Sequence, residues 1–357
     1  MMDAVIEGRI ERRIERRIEL RPGYSISRLI NGGWQLSAGH SATGPDGGRI
    51  VDELESMVDA GFTTFDCADI YTGVEELYGR LIGRMRQQGR PEAVQIHTKC
   101  VPDLDLLRDL EKRDLEHTID RSLRRLGVER LDLVQFHWWD FSVDGWIDAV
   151  SWLDELRRIG KIRHLAVTNF DTARLETLLD AGFEIVAHQL QYSLLDRRPE
   201  RAMVELCQKR DVHLLAYGTL AGGFLTDRWL GQPAPDAPLE NRSLVKYRLI
   251  IEEAGGWTRF QDLLAALSTL GEKTDASIAN LAVRWALQRP GLAAAIVGMR
   301  GAARLADNQR LFDLEIDGQE LAAMADRLDN PVGDVYELER EPGGRHAVIM
   351  KTNLNQA

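Results

Sequence analysis

Four polar side chains stand where the sequence predicts that three successive buried strands end. The stretch "TTFDCADIYTG" begins as a strand and carries Asp66 and Tyr71 near its carboxyl end. Lys99 ends the next apolar run, and His137 ends the run after that. Any one of these side chains alone would more often be structural, in a salt bridge or in a packed core. Their occurrence at consecutive strand ends predicts an active site.

These residue types could donate a proton to a carbonyl oxygen. A tyrosine hydroxyl is a weak acid, with an ordinary pKa of about 10. We expect the Lys99 ammonium to lower the pKa of Tyr71, and Asp66 to keep that ammonium charged and in place. The His137 imidazole could orient the carbonyl oxygen by hydrogen bonding. Because no side chain supplies hydride to the carbonyl carbon, a nicotinamide cofactor is implied.

Eight predicted strands have to position these side chains. They are the runs SRLING, TTFDCA, VQIHTKC, LDLVQFH, IRHLAVTNF, IVAHQLQY, HLLAYGT and AAAIVGM. Amphipathic segments separate them, and this alternation predicts a (β/α)8 TIM barrel, whose active sites lie at the carboxyl ends of the strands. An open doubly wound sheet is the alternative, but no G-x-G-x-x-G follows the first strand. The longest stretch without a predicted element is Leu230–Trp257, where we expect an irregular loop.

Composition excludes several classes of partner and site. The chain has 357 residues, a formal net charge of -11 and a pI near 5.3. An acidic surface disfavours nucleic acid and anionic membranes as partners. We find no apolar run of transmembrane length and no signal peptide. Cys67, Cys100 and Cys207 form no CxxC pair, and no cluster has metal-ligand spacing, so we predict no disulfide, no metal and a cytoplasmic location.

We predict three parts along the chain. A charged extension covers residues 1–22, the barrel covers residues 23–330, and a tail covers residues 331–357. The extension contains "RIERRIERRIEL", whose four-residue period would place Ile18 and the earlier isoleucines on one helical face. Because Arg and Glu nearly cancel within it, we favour a solvated extension over a partner-docking helix.

Several motifs in order resemble the aldo-keto reductase family, over roughly Ser27–Asn308. "FDCADIY" resembles the strand-two motif of the family, with Asp66 and the proton donor Tyr71, and "HTKC" supplies Lys99. "SLRRLGVERLDLVQFHWWD" is similar to the family signature that precedes the catalytic histidine, here His137. The resemblance implies that these four residues act together in carbonyl reduction or in the reverse reaction.

The resemblance also implies bound NADP(H), with NAD(H) as a second candidate. "GKIRHLAVTNF" and "HQLQY" match the segments that hold the nicotinamide carboxamide, and "LLAYGTLAGGFL" matches the one whose aromatic ring, here Tyr217, stacks on the nicotinamide. "AIVGMRGAARLADN" resembles the segment that clamps the adenosine 2′-phosphate, although Gly298 stands where some members carry a lysine. The implied cofactor residues are Thr168, Asn169, Gln189, Tyr217, Leu220, Gly298, Arg300, Arg304, Asp307 and Asn308.

Three tryptophans would line a pocket for a small carbonyl or alcohol substrate: Trp34, Trp138 and Trp139. Two other functions stay open. The chain could be a non-catalytic NADPH-binding regulatory subunit of a protein complex, as some relatives of the family are. It could also be a barrel isomerase or lyase without nicotinamide. The presence of all four catalytic residue types favours the enzyme that reduces carbonyls.

Overall fold

A computed structural model describes residues 14–37, 47–236, 239, 242–298 and 302–355. Its strands are β1 Arg17–Arg21, β2 Tyr24–Ser27, β3 Leu29–Gly32, β4 Thr64–Asp66, β5 Gln95–Cys100, β6 Leu131–Phe136, β7 Ile162–Thr168, β8 Ile185–Gln191, β9 His213–Tyr217 and β10 Leu292–Val297. Its helices are α1 Gly47–Asp59, α2 Val74–Gln87, α3 Lys112–Leu126, α4 Trp146–Arg158, α5 Thr172–Asp180, α6 Met203–Lys209, α7 Arg242–Glu253, α8 Gly256–Thr274, α9 Ile278–Leu287, α10 Ala302–Arg310, α11 Gly318–Ala325 and α12 Glu337–Arg340.

Strands β3 to β10 form a closed barrel in which every neighbouring pair is parallel. The barrel closes where residues 29–31 of β3 pair with residues 295–297 of β10. Each of the eight predicted apolar runs contains one barrel strand, so the predicted (β/α)8 fold is confirmed. The strands are largely buried on both faces, because side chains fill the inside of such a barrel while helices cover its outside.

A two-stranded antiparallel hairpin of β1 and β2 precedes the barrel. Its turn includes Gly23, whose φ of 76° suits a glycine. The buried Tyr24 hydroxyl lies 3.0 Å from Nε2 of His97 in β5. Because β2 leads directly into β3, the hairpin covers the amino-terminal end of the barrel. Ile18 therefore lies in a strand and not on the helical face that the repeat predicts, and residues 1–13 lie outside the described residues.

Helix α3 shows how the outer layer is built. Leu115, Ile119 and Leu126 recur at helical spacing and are buried against the barrel. The helix ends at Gly127, which has a left-handed backbone with φ of 65°. In the described residues, no helix combines the length and the apolar character that a membrane crossing requires.

The segment Leu230–Trp257, expected to be an irregular loop throughout, is helical in its second half, where that expectation is wrong. Helix α7 occupies residues 242–253, and α8 begins at Gly256. The buried side chains of α7 are Leu244, Tyr247, Ile250 and Ile251. Their spacing of three to four residues is a helical signal in the sequence. It is easily missed because tyrosine and isoleucine are weak helix formers, so that packing rather than propensity stabilises such a helix.

The C-terminal segment, residues 331–355, crosses the mouth of the barrel at the carboxyl ends of its strands. Near its start, Asp334 accepts hydrogen bonds from the backbone N–H and the hydroxyl of Thr172, at 2.8 and 3.0 Å. Near its end, the backbone N–H of Asn355 donates to Asp103 Oδ1 at 2.9 Å. Thr172 begins α5 and Asp103 follows β5, so the segment is bound to loops on two sides of the mouth.

Candidate active site

A buried lysine–aspartate pair forms the centre of the site. Asp66 ends β4, and Lys99 lies near the end of the neighbouring strand β5. Lys99 Nζ donates to the two carboxylate oxygens of Asp66 at 2.8 and 2.7 Å, and to the carbonyl oxygen of Cys67 at 2.8 Å. Burial disfavours the charge of Lys99, but Asp66 and Tyr71 together outweigh burial, and the pKa of Lys99 is raised above its ordinary value. The ammonium is therefore charged at neutral pH.

Tyr71 lies beside this pair, in the turn between β4 and α2. Lys99 Nζ is 5.2 Å from the centroid of the Tyr71 ring, and the Trp34 ring lies 5.1 Å from that ring. Burial raises the pKa of Tyr71, and the charge of Lys99 opposes burial without outweighing it. Lys99 thus lowers the pKa of Tyr71 as expected, but burial outweighs that effect and the net pKa lies above its ordinary value. The phenol is protonated at neutral pH, as a proton donor must be.

Two glutamines share the carboxylate of Asp66 with Lys99. Gln135 of β6 and Gln189 of β8 donate from Nε2 to Asp66 Oδ1, at 3.0 and 2.6 Å. Gln189 also donates to Gln135 Oε1 at 2.7 Å. The Gln189 amide nitrogen thus faces Asp66, and only its Oε1 is left for the carboxamide contact that the resemblance implies. Gln135 was not predicted, although strand alternation places it on the same face as His137.

His137 follows β6 and has a defined tautomer. Its Nδ1 lies 3.2 Å from the carbonyl oxygen of Thr168, and because a carbonyl only accepts, Nδ1 carries the hydrogen. Burial, and then the charge of Arg340, lower the pKa of His137 to about 3, so the ring is neutral. Its Nε2 is buried without a hydrogen-bond partner in the described chain. His137 therefore presents a lone pair that can accept a hydrogen bond from a hydroxyl.

Thr168 and Asn169 lie together at the end of β7. The Thr168 hydroxyl is buried and has no hydrogen-bond partner among the described residues. Asn169 Oδ1 accepts a hydrogen bond from the Tyr217 hydroxyl at 2.9 Å, which leaves Nδ2 to donate. Leu220 lies half-buried in the turn after β9. The unpartnered hydroxyl and the oriented amide next to Tyr217 fit a ring that bears a carboxamide, such as nicotinamide.

The residues predicted to hold the phosphate end of the cofactor lie after β10. At Gly298 a β-carbon would come within 2.9 Å of Gln35 Oε1, the end of an exposed and flexible side chain that can move aside, so the contact does not require glycine. Arg304 is exposed on α10 and forms no ion pair with a carboxylate in the part of the chain that the structure describes. Arg300 lies outside the described residues. An exposed guanidinium can donate to a phosphate, and Arg304 as the phosphate contact stays a prediction.

Asp307 and Asn308 are the two other residues of α10 that were predicted to contact the cofactor. Asp307 accepts hydrogen bonds from the Ser277 hydroxyl at 3.0 Å and from Asn280 Nδ2 at 2.8 Å. Because Ser277 caps α9, the carboxylate of Asp307 joins α10 to the start of that helix. Asn308 lies half-buried on the same helix. The structure thus gives Asp307 a structural role between helices.

The predicted tryptophans take different positions around the site. Trp139 meets His137 edge-on, with ring centroids 4.3 Å apart. Trp34 packs against the ring of Tyr71. Trp138 is fully buried against Phe136, and its Nε1 donates to two backbone carbonyls. The structure therefore places Trp34 and Trp139 beside the catalytic candidates, whereas Trp138 belongs to the surrounding core.

Two residues of the C-terminal segment complete the site, and neither was predicted. The Tyr336 ring packs edge-on against His137 at 5.7 Å, from a left-handed backbone with φ of 60°. Arg340 donates from Nε and Nη2 to the backbone oxygens of Trp139 and Trp138, at 3.0 and 2.8 Å. Both residues are distant in sequence from every motif, so no local pattern could have identified them.

The site can therefore transfer a proton without a metal. It offers a protonated phenol next to a charged, immobilised ammonium, and a neutral imidazole that accepts hydrogen bonds. Within the described ranges, no three or more His, Cys, Asp or Glu side chains are grouped in a way that could hold a metal ion. This set suits the protonation of a carbonyl oxygen, or the deprotonation of an alcohol.

Known proteins share both the sequence pattern and the fold. The sequence model of the Aldo/keto reductase family matches residues 28–329. The aldo-keto reductase YhdN of Bacillus subtilis (strain 168) is 26% identical over 325 residues, which cover 87% of this chain and 93% of that protein. The NADH-specific methylglyoxal reductase of Escherichia coli (strain K12) is 23% identical over 324 residues, covering 85% of this chain and 95% of that protein.

Solved structures show the same architecture. The glycerol dehydrogenase AKR11B4 from Gluconobacter oxydans superimposes with a TM-score of 0.71 at 24% identity, covering 87% of this chain and 95% of that one. An aldo-keto reductase from Klebsiella pneumoniae in complex with NADPH superimposes with a TM-score of 0.67 at 22% identity, covering 90% of this chain and 97% of that one. At these identities the likeness establishes the fold.

Proposed function

This chain belongs to the aldo/keto reductase family, and from that premise we propose that it reduces an aldehyde or ketone to an alcohol, or catalyses the reverse reaction, with NADP(H). The observation that supports this most directly is the cluster of Asp66, Tyr71, Lys99 and His137 at the ends of three neighbouring strands. A regulatory subunit that only binds NADPH would not require a proton donor beside a buried ammonium.

Tyr71 acts as the general acid in this proposal. Bound reduced nicotinamide would supply hydride to the carbonyl carbon. The protonated Tyr71 hydroxyl gives its proton to the carbonyl oxygen as negative charge develops there. The resulting phenolate is stabilised by the Lys99 ammonium, 5.2 Å from the ring centroid, which Asp66 holds in place. In the direction of oxidation, the phenolate removes the proton of the alcohol.

His137 orients the oxygen that carries the transferred proton. Because its Nδ1 hydrogen is donated to Thr168, the neutral ring accepts at Nε2. The new hydroxyl of the alcohol can donate to that lone pair, and an alcohol substrate is held in the same way before it is oxidised. The edges of the Trp139 and Tyr336 rings keep the imidazole in a single orientation.

The cofactor assignment rests on this chain's own donors and acceptors. Thr168, Asn169 and Gln189 Oε1 would hold the nicotinamide carboxamide beside the Tyr217 ring. The exposed Arg304 favours NADP(H), because a guanidinium binds a 2′-phosphate that NAD(H) lacks. NAD(H) stays a second candidate, since one relative is an NADH-specific reductase.

Steady-state consumption of NADPH with a broad panel of aldehydes and ketones tests the proposal. We expect the wild type to turn over at least one carbonyl, and Tyr71→Phe to lower kcat by about 10²- to 10⁴-fold, the usual contribution of a general acid. NADPH affinity, measured by quenching of Trp fluorescence, should be nearly unchanged in that variant. Tyr192→Phe is the matched control, because its hydroxyl bonds to Glu200 and takes no part in the site.

Three outcomes would contradict the proposal. Equal turnover by the wild type and Tyr71→Phe would remove Tyr71 from the chemistry. If NADPH binds but no carbonyl of the panel is turned over, the regulatory subunit is favoured. If NADPH does not bind even at millimolar concentration, an isomerase or lyase without nicotinamide is favoured.

A further inference from the structure

The Arg340 guanidinium carries a charge that no described carboxylate neutralises by direct contact. Its Nε and Nη2 bond to backbone oxygens, while Nη1 is buried without a hydrogen-bond partner. The rings of Phe141 and Tyr336 lie 4.5 and 5.0 Å from its central carbon. Burying a cation without a counter-ion costs considerable free energy. The two backbone bonds and the two rings compensate that cost only in part.

A neighbouring ion cluster shows how the same segment neutralises other buried cations. Arg198 is bonded by Asp196 at 2.7 Å and by Glu339 at 3.1 Å. Lys246 pairs with the same Glu339 at 3.4 Å. The carboxylate next to Arg340 in sequence is therefore shared by two other cations. In this cluster the two cations meet two carboxylates, and Arg340 is left with Asp171 and Glu339 acting on it only at longer range, without an ion pair among the described residues.

Arg340 lies one aromatic ring away from the catalytic centre. The Tyr336 ring separates it from His137, at 5.0 Å from the guanidinium carbon and 5.7 Å from the imidazole centroid. After burial, the charge of Arg340 is the next largest cause of the low pKa of His137. The left-handed backbone of Tyr336 is unusual for a bulky residue, and such conformations are concentrated at functional sites.

We infer that Arg340 binds an anionic group of the substrate, and that the substrate is therefore a carbonyl compound carrying a carboxylate. The inference rests on the proposed function and adds the substrate class. The two backbone oxygens occupy the Nε–Nη2 edge of the guanidinium, which leaves the Nη1–Nη2 end to donate in parallel to a carboxylate. A buried guanidinium end that forms no direct ion pair with a described carboxylate suits a negatively charged ligand, which a carboxylate supplies and a neutral aldehyde does not.

Matched substrates test the inference. Benzaldehyde would be compared with its 2-, 3- and 4-carboxy derivatives under identical conditions, with kcat and KM measured separately. We expect the best carboxylated aldehyde to exceed benzaldehyde in kcat/KM by about 10- to 100-fold, as hydrogen bonds to charged groups typically give. Arg340→Gln should abolish that preference through a higher KM for the carboxylated substrate, and Arg340→Lys should retain part of it.

The ratio of kcat/KM for the carboxylated aldehyde to kcat/KM for benzaldehyde distinguishes anion binding from a structural role of Arg340. Loss of the bonds to the Trp138 and Trp139 oxygens would slow both substrates alike and leave their ratio unchanged, and that result would overturn the inference. Arg201→Gln is the matched control, because Arg201 also donates to backbone oxygens of this region, those of Pro331 and Gly333. We expect its ratio to equal that of the wild type.

Binding of benzoate provides a readout that does not depend on turnover. Benzoate titrated into the NADPH complex should quench the fluorescence of the neighbouring tryptophans in the wild type, weakly in Arg340→Lys and not in Arg340→Gln. Equal quenching in the wild type and Arg340→Gln, or none in the wild type, would overturn the inference. If benzaldehyde and its derivatives all fail to react while benzoate still binds through Arg340, the proposed function fails and the anion site stands.

Discussion

Asp66 is the residue on which the arrangement of the site depends, because three side chains donate to its carboxylate. Lys99 supplies the only full positive charge among them, and Gln135 and Gln189 supply neutral amides. Removing Lys99 leaves a buried carboxylate with two neutral donors. Since an unpaired buried charge is costly, the pair is held together more by the penalty of breaking it than by its net attraction.

We therefore predict that Lys99→Met lowers the free energy of unfolding by about 3 kcal/mol, the lower end for breaking a buried pair, because both glutamines still donate to Asp66. Asp66→Asn together with Lys99→Met should recover part of this loss, since neither charge then remains. Urea unfolding of both variants measures the difference. Equal stability of the single and the double variant would show that Asp66 is not the uncompensated charge.

Arg304 gives a second prediction for a single residue. It is exposed on α10, so its loss should not affect folding. We expect Arg304→Ala to weaken NADPH binding by about 10- to 100-fold, as for one lost charge-assisted hydrogen bond, and to leave NADH binding nearly unchanged. Titrations of both cofactors give this ratio. A parallel loss for NADH would mean that Arg304 does not contact the 2′-phosphate.

Single residues also show what the sequence can predict. Asp66, Tyr71, Lys99 and His137 are found from the sequence because strand ends of one barrel converge at one mouth. Tyr336 escaped prediction because its contact with His137 joins residues far apart in the chain. The effect of Lys99 on the pKa of Tyr71 was predicted, but the net rise was not, because a sequence does not display the burial that outweighs the charge of Lys99.

At the scale of elements, the β1–β2 hairpin stabilises the closed amino-terminal end of the barrel. The Tyr24 hydroxyl bonds to His97 Nε2 at 3.0 Å, and both residues are buried. Tyr24→Phe removes the hydroxyl and leaves a polar atom of His97 without a partner. We predict a loss of about 1–3 kcal/mol in the free energy of unfolding, the usual penalty for such a group.

Chemical denaturation of Tyr24→Phe measures this loss, and Tyr192→Phe provides a comparison at a tyrosine outside the hairpin. Unchanged kcat and KM in Tyr24→Phe would show that the hairpin acts on stability, since it lies at the end of the barrel opposite the site. A variant as stable as the wild type would mean that the hydrogen bond adds nothing to the closure.

Secondary-structure elements were predicted well where both faces of a strand are buried. They were predicted poorly where packing against distant residues determines whether a segment forms a helix or a strand. The barrel strands are largely buried on both faces and rich in β-branched and other apolar residues, so they stand out in the sequence. The repeat around Ile18 has the period of a helix, but its end pairs with β2 because the barrel offers an apolar surface to that strand. The hydrophobic period of a short segment contains no information about a surface that residues distant in sequence offer to it.

At the scale of the whole molecule, the barrel buries several histidines in neutral form. His97, His137 and His188 are almost fully buried, and burial lowers their pKa values to about 4, 3 and 3 from an ordinary 6.5. These histidines lie in β5, after β6 and in β8, inside or at the mouth of one barrel. Their protonation is therefore linked to the folding of the barrel as a unit.

The sign of this linkage predicts how stability depends on pH. Between pH 6.5 and about 4 the unfolded chain binds protons at these histidines and the native state does not, so the free energy of unfolding falls as the pH is lowered. These three protons contribute at most about 4 kcal/mol per pH unit to the slope. His188→Gln should reduce the slope by about one proton. Urea unfolding across this pH range measures the slope, and equal slopes in the wild type and His188→Gln would show that His188 takes up its proton without unfolding of the barrel.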